Sequence, residues 1–316
     1  MNPTSLQLSV LDLVPVLDQQ NDTYALERAT ELAQTAERLG YSRYWVAEHH
    51  AMPGLACPAP EVLLAHIGAR TNRIRIGSGA VLLPHYQPLK VAEAFRLLAS
   101  LYPGRVDLGL GRAPGGSAHA SMALSGNFLA NVGQMPDKLQ DIARLLQDRY
   151  TYESEPVNAR PQPAVQPEVW LLGTNKKSAE YAAAFGMGYV FGQFMSDMEP
   201  EEVLRGYRES FVPSPLCPEP RTIMAIGAIC ADTDEAAQRM ALTGGWMPAK
   251  DKPDSPTQAA RKLLAGTAAS IQSRLQHFAQ LYGVHEFLVV TMIPDYDKRL
   301  RSYELLARCL QEPESG

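Results

Sequence analysis

The chemically capable residues fall in short polar clusters, each placed directly after an apolar run. Glu48-His49-His50 closes Ser42–Ala47, His85-Tyr86-Gln87 closes the stretch from Ile74 to Leu83, and Arg112 follows Val106–Leu110. Thr174-Asn175-Lys176-Lys177-Ser178 follows Glu168–Leu172, and Asp12, Gln193 and Trp246 complete the set. Two histidines beside a glutamate invite a metal reading, because imidazole is a common ligand. Successive residues at a strand end, however, point to opposite faces. The sequence also has neither HExxH nor a matching carboxylate triad. No metal is expected. Alternation puts Trp45, Ala47 and His49 on one side and Val46, Glu48 and His50 on the other. Ala47 suits a crowded interior, so His49 is the inward candidate for acid–base work. His50 is expected in a hydrogen bond near the rim.

A second pattern points to an anion. Arginine offers a planar fork of donors suited to phosphate, and Arg112 follows the glycine-bearing Leu108-Gly109-Leu110-Gly111. Thr174 and Asn175 precede a helix expected from Ser178, and a helix N-terminus presents free N–H groups and a favourable dipole to negative charge. Each device alone has a plain alternative: a surface ion pair for Arg112, ordinary capping for the loop. Together they favour phosphate.

Other chemistries are absent from the sequence. There is no GxSxG elbow and no cysteine beside a histidine, so Cys57 reads as structural. No GxGxxG with a following acidic residue opens the chain, which argues against a Rossmann nicotinamide site. The net charge of −5 gives no basic field for nucleic acid or anionic lipid. The four cysteines are scattered without a CxxC pair, which fits a reducing cytoplasm. Neither a signal peptide nor an apolar run of the ~20 residues that cross a bilayer is present. A cytoplasmic protein that binds neither nucleic acid nor membrane is expected.

The elements that must position these clusters alternate. Eight apolar strands are expected, at Leu6–Val14, Ser42–Ala47, Ile74–Leu83, Val106–Leu110, Glu168–Leu172, Gly188–Gln193, Thr222–Ala231 and Glu286–Ile293. Helical spacing lies between them, as in Thr23–Leu39, where Ala25, Leu32, Ala33, Ala36 and Leu39 share a face ahead of Gly40. Eight alternating pairs in 316 residues point to an α/β fold, a (β/α)8 TIM barrel in one domain spanning residues 1–316. Asp232–His285 exceeds one crossover, so an insertion is expected between strands seven and eight, with Trp246 and the following loop as a lid. Gly115–Asn131 is expected to be irregular.

The third strand is the odd one. Ile74 and Ile76 favour a strand, yet Gly77-Ser78-Gly79-Ala80 has almost no side chain. Small residues in a strand mark either a flat face against which a planar ligand lies or tight packing of a neighbouring helix. The stretch alone leaves both open.

Three motifs decide for a resemblance. Tyr44–His50 (YWVAEHH), Ile74–Pro84 (IRIGSGAVLLP) and Leu101–Arg112 (LYPGRVDLGLGR) closely resemble the bacterial-luciferase-like flavin monooxygenases, as does the helix Ser178–Phe185 with Gly186. The resemblance runs over most of the chain and is densest in 6–116 and 169–195. It implies a (β/α)8 barrel holding reduced FMN at its C-terminal mouth, or in one branch a deazaflavin. It places a non-proline cis peptide at Gly79-Ala80 beside the flavin ring, the phosphate arginine at Arg112, and the phosphate loop at Thr174, Asn175 and Ser178. Luciferase-type chains carry Glu-Ser where this one has Thr174-Asn175. The family's catalytic histidine falls at His49, and the cysteine that luciferases place beside the flavin is replaced here by Gly111, so light emission is not expected. The implied reaction uses reduced FMN and O2 to oxidise a small organic substrate through a flavin peroxide. A separate flavin reductase is the implied partner, and family members are often homodimers. The alternatives are a deazaflavin-dependent dehydrogenase on the same barrel and a non-catalytic flavin-binding protein.

Overall fold

The computed structural model describes residues 6–17, 19–243 and 262–310. Eight strands form the barrel: Gln7–Asp12 (β1), Arg43–Val46 (β2), Arg75–Ser78 (β3), Val106–Gly111 (β4), Glu168–Gly173 (β5), Gly188–Gly192 (β6), Thr222–Cys230 (β7) and Glu286–Val290 (β8). Each pairs in parallel with its neighbours in chain order, and β8 pairs with β1 to close the ring. Helices cover the outside, burying a continuous apolar layer against the strands. The expected period is visible in Asp22–Leu39, which turns Ala25, Ala29, Leu32, Ala33 and Ala36 inward. Asn21 caps its start, and Gly40 ends it in the left-handed region at φ 86°.

The barrel is filled, not hollow. Trp45 of β2 and Trp170 of β5 meet edge to face across it, with ring centroids 6.0 Å apart and no solvent exposure to speak of. A buried ring of that size removes on the order of 200 Å² from water, roughly 5 kcal/mol of favourable transfer free energy. The register aligns Trp45 with Gly77 and Gly77 with Asp107. A Cβ on Gly77 would come within 2.6 Å of the Trp45 ring nitrogen, so that glycine is required by packing.

Below the tryptophans, at the N-terminal ends of the strands, lies a closed ion network. Buried Arg43 reaches Asp107, Glu168 and Glu286 at 2.9, 3.0 and 2.7 Å. Arg75 also pairs with Asp107, Arg221 pairs with Glu168, and Trp45 donates its ring N–H to Asp107 at 2.9 Å.

Several expected boundaries move. The third strand breaks after Ser78 and resumes as Val81–Leu82, which pairs with β4. The break is held by Ser78, whose hydroxyl donates to Gly109 O and accepts from Gly109 N. The intervening Gly79-Ala80 peptide is cis, as the resemblance implied. The segment expected to be irregular after Gly115 contains two short helices, Ala118–Ser125 and Phe128–Gly133, each capped by a side chain at Ser117 or Asn127. The helix after β5 starts at Lys176 rather than Ser178, because Asn175 is its cap. The insertion between β7 and β8 ends in two elements the sequence reading did not assign: a strand, Leu263–Gly266, parallel to the far end of β7, and a helix, Ala268–Tyr282. Leu-Leu-Ala-Gly is too short for its period to be read. Trp246 and the rest of the expected lid lie outside the described residues.

Candidate active site

A cavity of about 380 Å³ opens at the C-terminal ends of the strands, where active sites of such barrels are built. Its volume falls in the range of small-molecule sites, roughly 300–1,000 Å³. The candidates His49, Gly79, Ala80, Arg112, Thr174 and Asn175 all line it. Ser178 does not. Its buried hydroxyl donates to Asn175 O at 2.7 Å and lies 3.1 Å from the Tyr189 hydroxyl, beneath the loop.

His49 is placed by its backbone, whose N–H donates to Cys57 O at 3.0 Å. Its Nδ1 is buried and has no hydrogen-bond partner among the described residues. Burial, and then the neighbouring His50, push its pKa down to about 4. The imidazole is therefore neutral near pH 7 and can offer a donor on one nitrogen and an acceptor on the other.

His50 takes the rim role expected of it. Its Nε2 lies 2.7 Å from Glu48 Oε1, and its backbone N–H donates to Gly115 O. Glu48 received no role from the sequence, yet it is the knot of this wall. Tyr86 donates its hydroxyl to Oε1 at 2.7 Å, and Leu82 N donates to Oε2 at 3.1 Å. One carboxylate thus ties the end of β2 to the chain beyond the cis peptide. Burial raises its pKa against the pull of these donors. His85 is occupied as well: Nε2–H donates to Pro114 O, which leaves Nδ1 to accept from Ser125.

Arg112 stands half-buried at the mouth. Its charge acts on the Tyr189 hydroxyl, but it forms no hydrogen bond or ion pair among the described residues. Nearby, Asn175 accepts from Ser178 N at 3.2 Å and caps the helix, and Thr174 O accepts from the Ser196 hydroxyl. Lys176 and Lys177, in the same polar cluster, instead form exposed ion pairs with Glu202 and Glu180. Asp12, also a candidate, turns away from the cavity. It pairs with buried Arg299 at 2.8 Å, accepts from Tyr44 and accepts from Val14 N.

The remaining walls are apolar: Leu11 near the end of β1 and Leu13 after it, Phe194 and Met195 after β6, Ala225 on β7. Sequence reasoning passed over them because a leucine or phenylalanine beside a strand carries no chemical signature. The one available signal was position, just past a strand end.

No described group of histidine, cysteine, aspartate and glutamate could hold a metal ion, and no described helix is long and apolar enough to cross a membrane.

Fold and site define a (β/α)8 barrel enzyme with a cavity at the C-terminal mouth of its strands. The chain belongs to the luciferase-like monooxygenase family, whose profile matches residues 7–288. It is similar to the N-acetyl-S-alkylcysteine monooxygenase of Bacillus subtilis, 32% identical over 96% of this chain and 97% of the other. The oxygenase component of the flavin-dependent trigonelline monooxygenase of Acinetobacter baylyi is 25% identical over 71% of this chain and 64% of its own length. The crystal structure of apo-MsnO8 superposes with a TM-score of 0.86 at 37% identity, covering 96% of this chain and 98% of the other. The protein is a flavin-type monooxygenase by family.

Proposed function

We propose that the cavity binds reduced FMN and that the enzyme uses it with O2 to oxidise a small organic molecule. One observation carries the reading. The small face made by Gly79, Ala80 and Gly111 lies in the same cavity as an unpaired arginine and a capped helix start. A Cβ on Gly111 would come within 3.1 Å of the Ala80 methyl, so that face is as flat as side chains allow. The residues therefore fit a ring system with an anionic tail. His49, whose buried Nδ1 has no partner among the described residues, lines the same cavity.

In this reading Arg112 and the Thr174–Asn175 loop hold the phosphate by charge-assisted hydrogen bonds. The Gly79–Ala80 turn and Gly111 pack against the ring. The bound reduced flavin supplies two electrons to O2, so that one oxygen atom enters the substrate and the other leaves as water. Neutral His49 holds or passes a proton at the reacting end of the cavity. The apolar walls keep water from the site. A separate reductase supplies the reduced flavin, as the words "oxygenase component" in the relative's name suggest.

Anaerobic titration with reduced FMN and with a reduced deazaflavin, followed by admission of oxygen, tests the reading. Tight binding of reduced FMN and altered reoxidation relative to free flavin are expected. Preference for the deazaflavin without oxygen reactivity would move the enzyme to dehydrogenase chemistry.

A further inference from the structure

The cavity has two chemically different sides. Around the ring, β3, β4 and β5 contribute Gly79, Ala80, Arg112, Thr174 and Asn175. On the other side, β1, β6 and β7 contribute Leu11, Leu13, Phe194, Met195 and Ala225. His49, just past β2, stands between them. The flavin reading accounts for the first side only.

The apolar side is built, not incidental. Leu13 precedes Val14, a buried β-branched residue at φ 53°, a backbone region such residues seldom occupy. Asp12 holds that conformation by accepting from Val14 N at 2.7 Å, and Asp12 is itself anchored by Arg299 and Tyr44. Across the cavity, β6 ends in a tight turn. Met195 N donates to Gly192 O at 3.2 Å, and Ser196 ties the turn to the phosphate loop through its bond to Thr174 O. The turn leaves Phe194 7% exposed and Met195 58% exposed, a buried ring below and a thioether at the rim.

Among the described residues, charge is missing from this side. Among the described residues lining the cavity, the charged ones are Glu48 and Arg112. Glu48 is taken up by His50, Tyr86 and Leu82, and His49 is held neutral by burial. Two residues past Met195, Asp197 is paired with Lys262 at 2.7 Å. A charged substrate placed here would lose its hydration without a counter-charge.

We infer that the Leu11–Leu13–Phe194–Met195 wall is the substrate side and selects uncharged, largely apolar molecules. Such molecules present a single hydrogen-bonding group to His49, and Phe194 limits how far their apolar part extends. The inference rests on the flavin occupying the opposite side. Thioethers, ketones and alcohols of moderate chain length fit. Carboxylates, sulfonates and ammonium compounds do not.

The test compares octan-1-ol, octanoate and octylammonium by anaerobic calorimetry, on the protein alone and on the protein saturated with reduced FMN. Octan-1-ol is expected to bind, and either ion at least about tenfold more weakly. Phe194→Ala should bind dodecan-1-ol several-fold more tightly than the wild type, and Phe194→Leu should restore most of the original preference for the shorter chain. Equal or tighter binding of octanoate, abolished by Arg112→Ala, would overturn the inference, because Arg112 would then serve the substrate. Failure of octan-1-ol to bind either form overturns it too. Failure of reduced FMN to bind appears separately in the same titrations, and the alcohol-against-ion comparison on the protein alone still reads the wall.

Discussion

The two ends of the barrel are built from similar residue types and end in opposite states. At the N-terminal end Arg43, Arg75 and Arg221 share Asp107, Glu168 and Glu286, and the groove of about 470 Å³ beside Glu168 borders a carboxylate already engaged by arginines. At the C-terminal end Arg112 and the buried Nδ1 of His49 have no protein partner among the described residues, and both residues line a cavity. A buried charge must be neutralised on folding or its desolvation is uncompensated. The lower end meets that need internally. At the upper end Arg112 is half-buried at the mouth and keeps part of its hydration. The difference separates groups that hold the fold from groups proposed to bind and react, although nothing in residue type distinguishes Arg43 from Arg112.

That contrast can be broken from either end. The largest effect is expected for Asp107→Ala, which strips buried Arg43 of a partner. Stability should fall by ~3–5 kcal/mol, read by urea denaturation, while the folded fraction keeps its reduced-FMN affinity. An unchanged midpoint would mean that the lower network is not structural. His49→Ala should do the reverse, lowering oxygen-dependent turnover by about 10²-fold, the scale of general acid–base catalysis, with flavin affinity largely intact. Full turnover in that variant would remove His49 from the chemistry.

Arg112→Ala is expected to weaken reduced-FMN binding by ~1.5–3 kcal/mol and to shift stability by no more than ~0.5 kcal/mol. Loss of stability without loss of affinity would place Arg112 with the structural charges. The smallest effect concerns acid. The folded-state pKa of His49 lies below its ordinary value of 6.5, at about 4, so in that window the unfolded chain binds the extra proton. Stability contributed by neutral His49 is therefore present above pH 6.5 and lost as pH falls toward 4. His49→Gln should flatten this part of the stability profile by roughly 1–2 kcal/mol. An identical profile in the variant would show that the imidazole is better solvated than its burial suggests.

Much of this architecture was legible in the sequence. Alternating apolar runs and helical faces gave eight strands in the right order, because a parallel barrel buries both faces of every strand. The polar clusters after strands two, four and five were found by position alone. The small run in strand three was left with two readings, a planar ligand or a tightly packed helix; Gly77 is small because Trp45 of the neighbouring strand packs on it, and Gly79 and Ala80 line the cavity. Glu48 was passed over because its partners, Leu82 N and Tyr86, are more than thirty residues away. The strand at Leu263–Gly266 was missed because four small apolar residues carry no period.

The sequence by itself determined the barrel, the order of its strands and which loops carry polar chemistry, since these follow from local periodicity and from the rule that loops at the strand C-termini converge. Only the tertiary structure decided which charges are spent and which remain. Pairing depends on distances between residues remote in sequence: Asp12 finds Arg299 and turns away from the cavity, Ser178 folds under its loop, and Arg112 is left facing it.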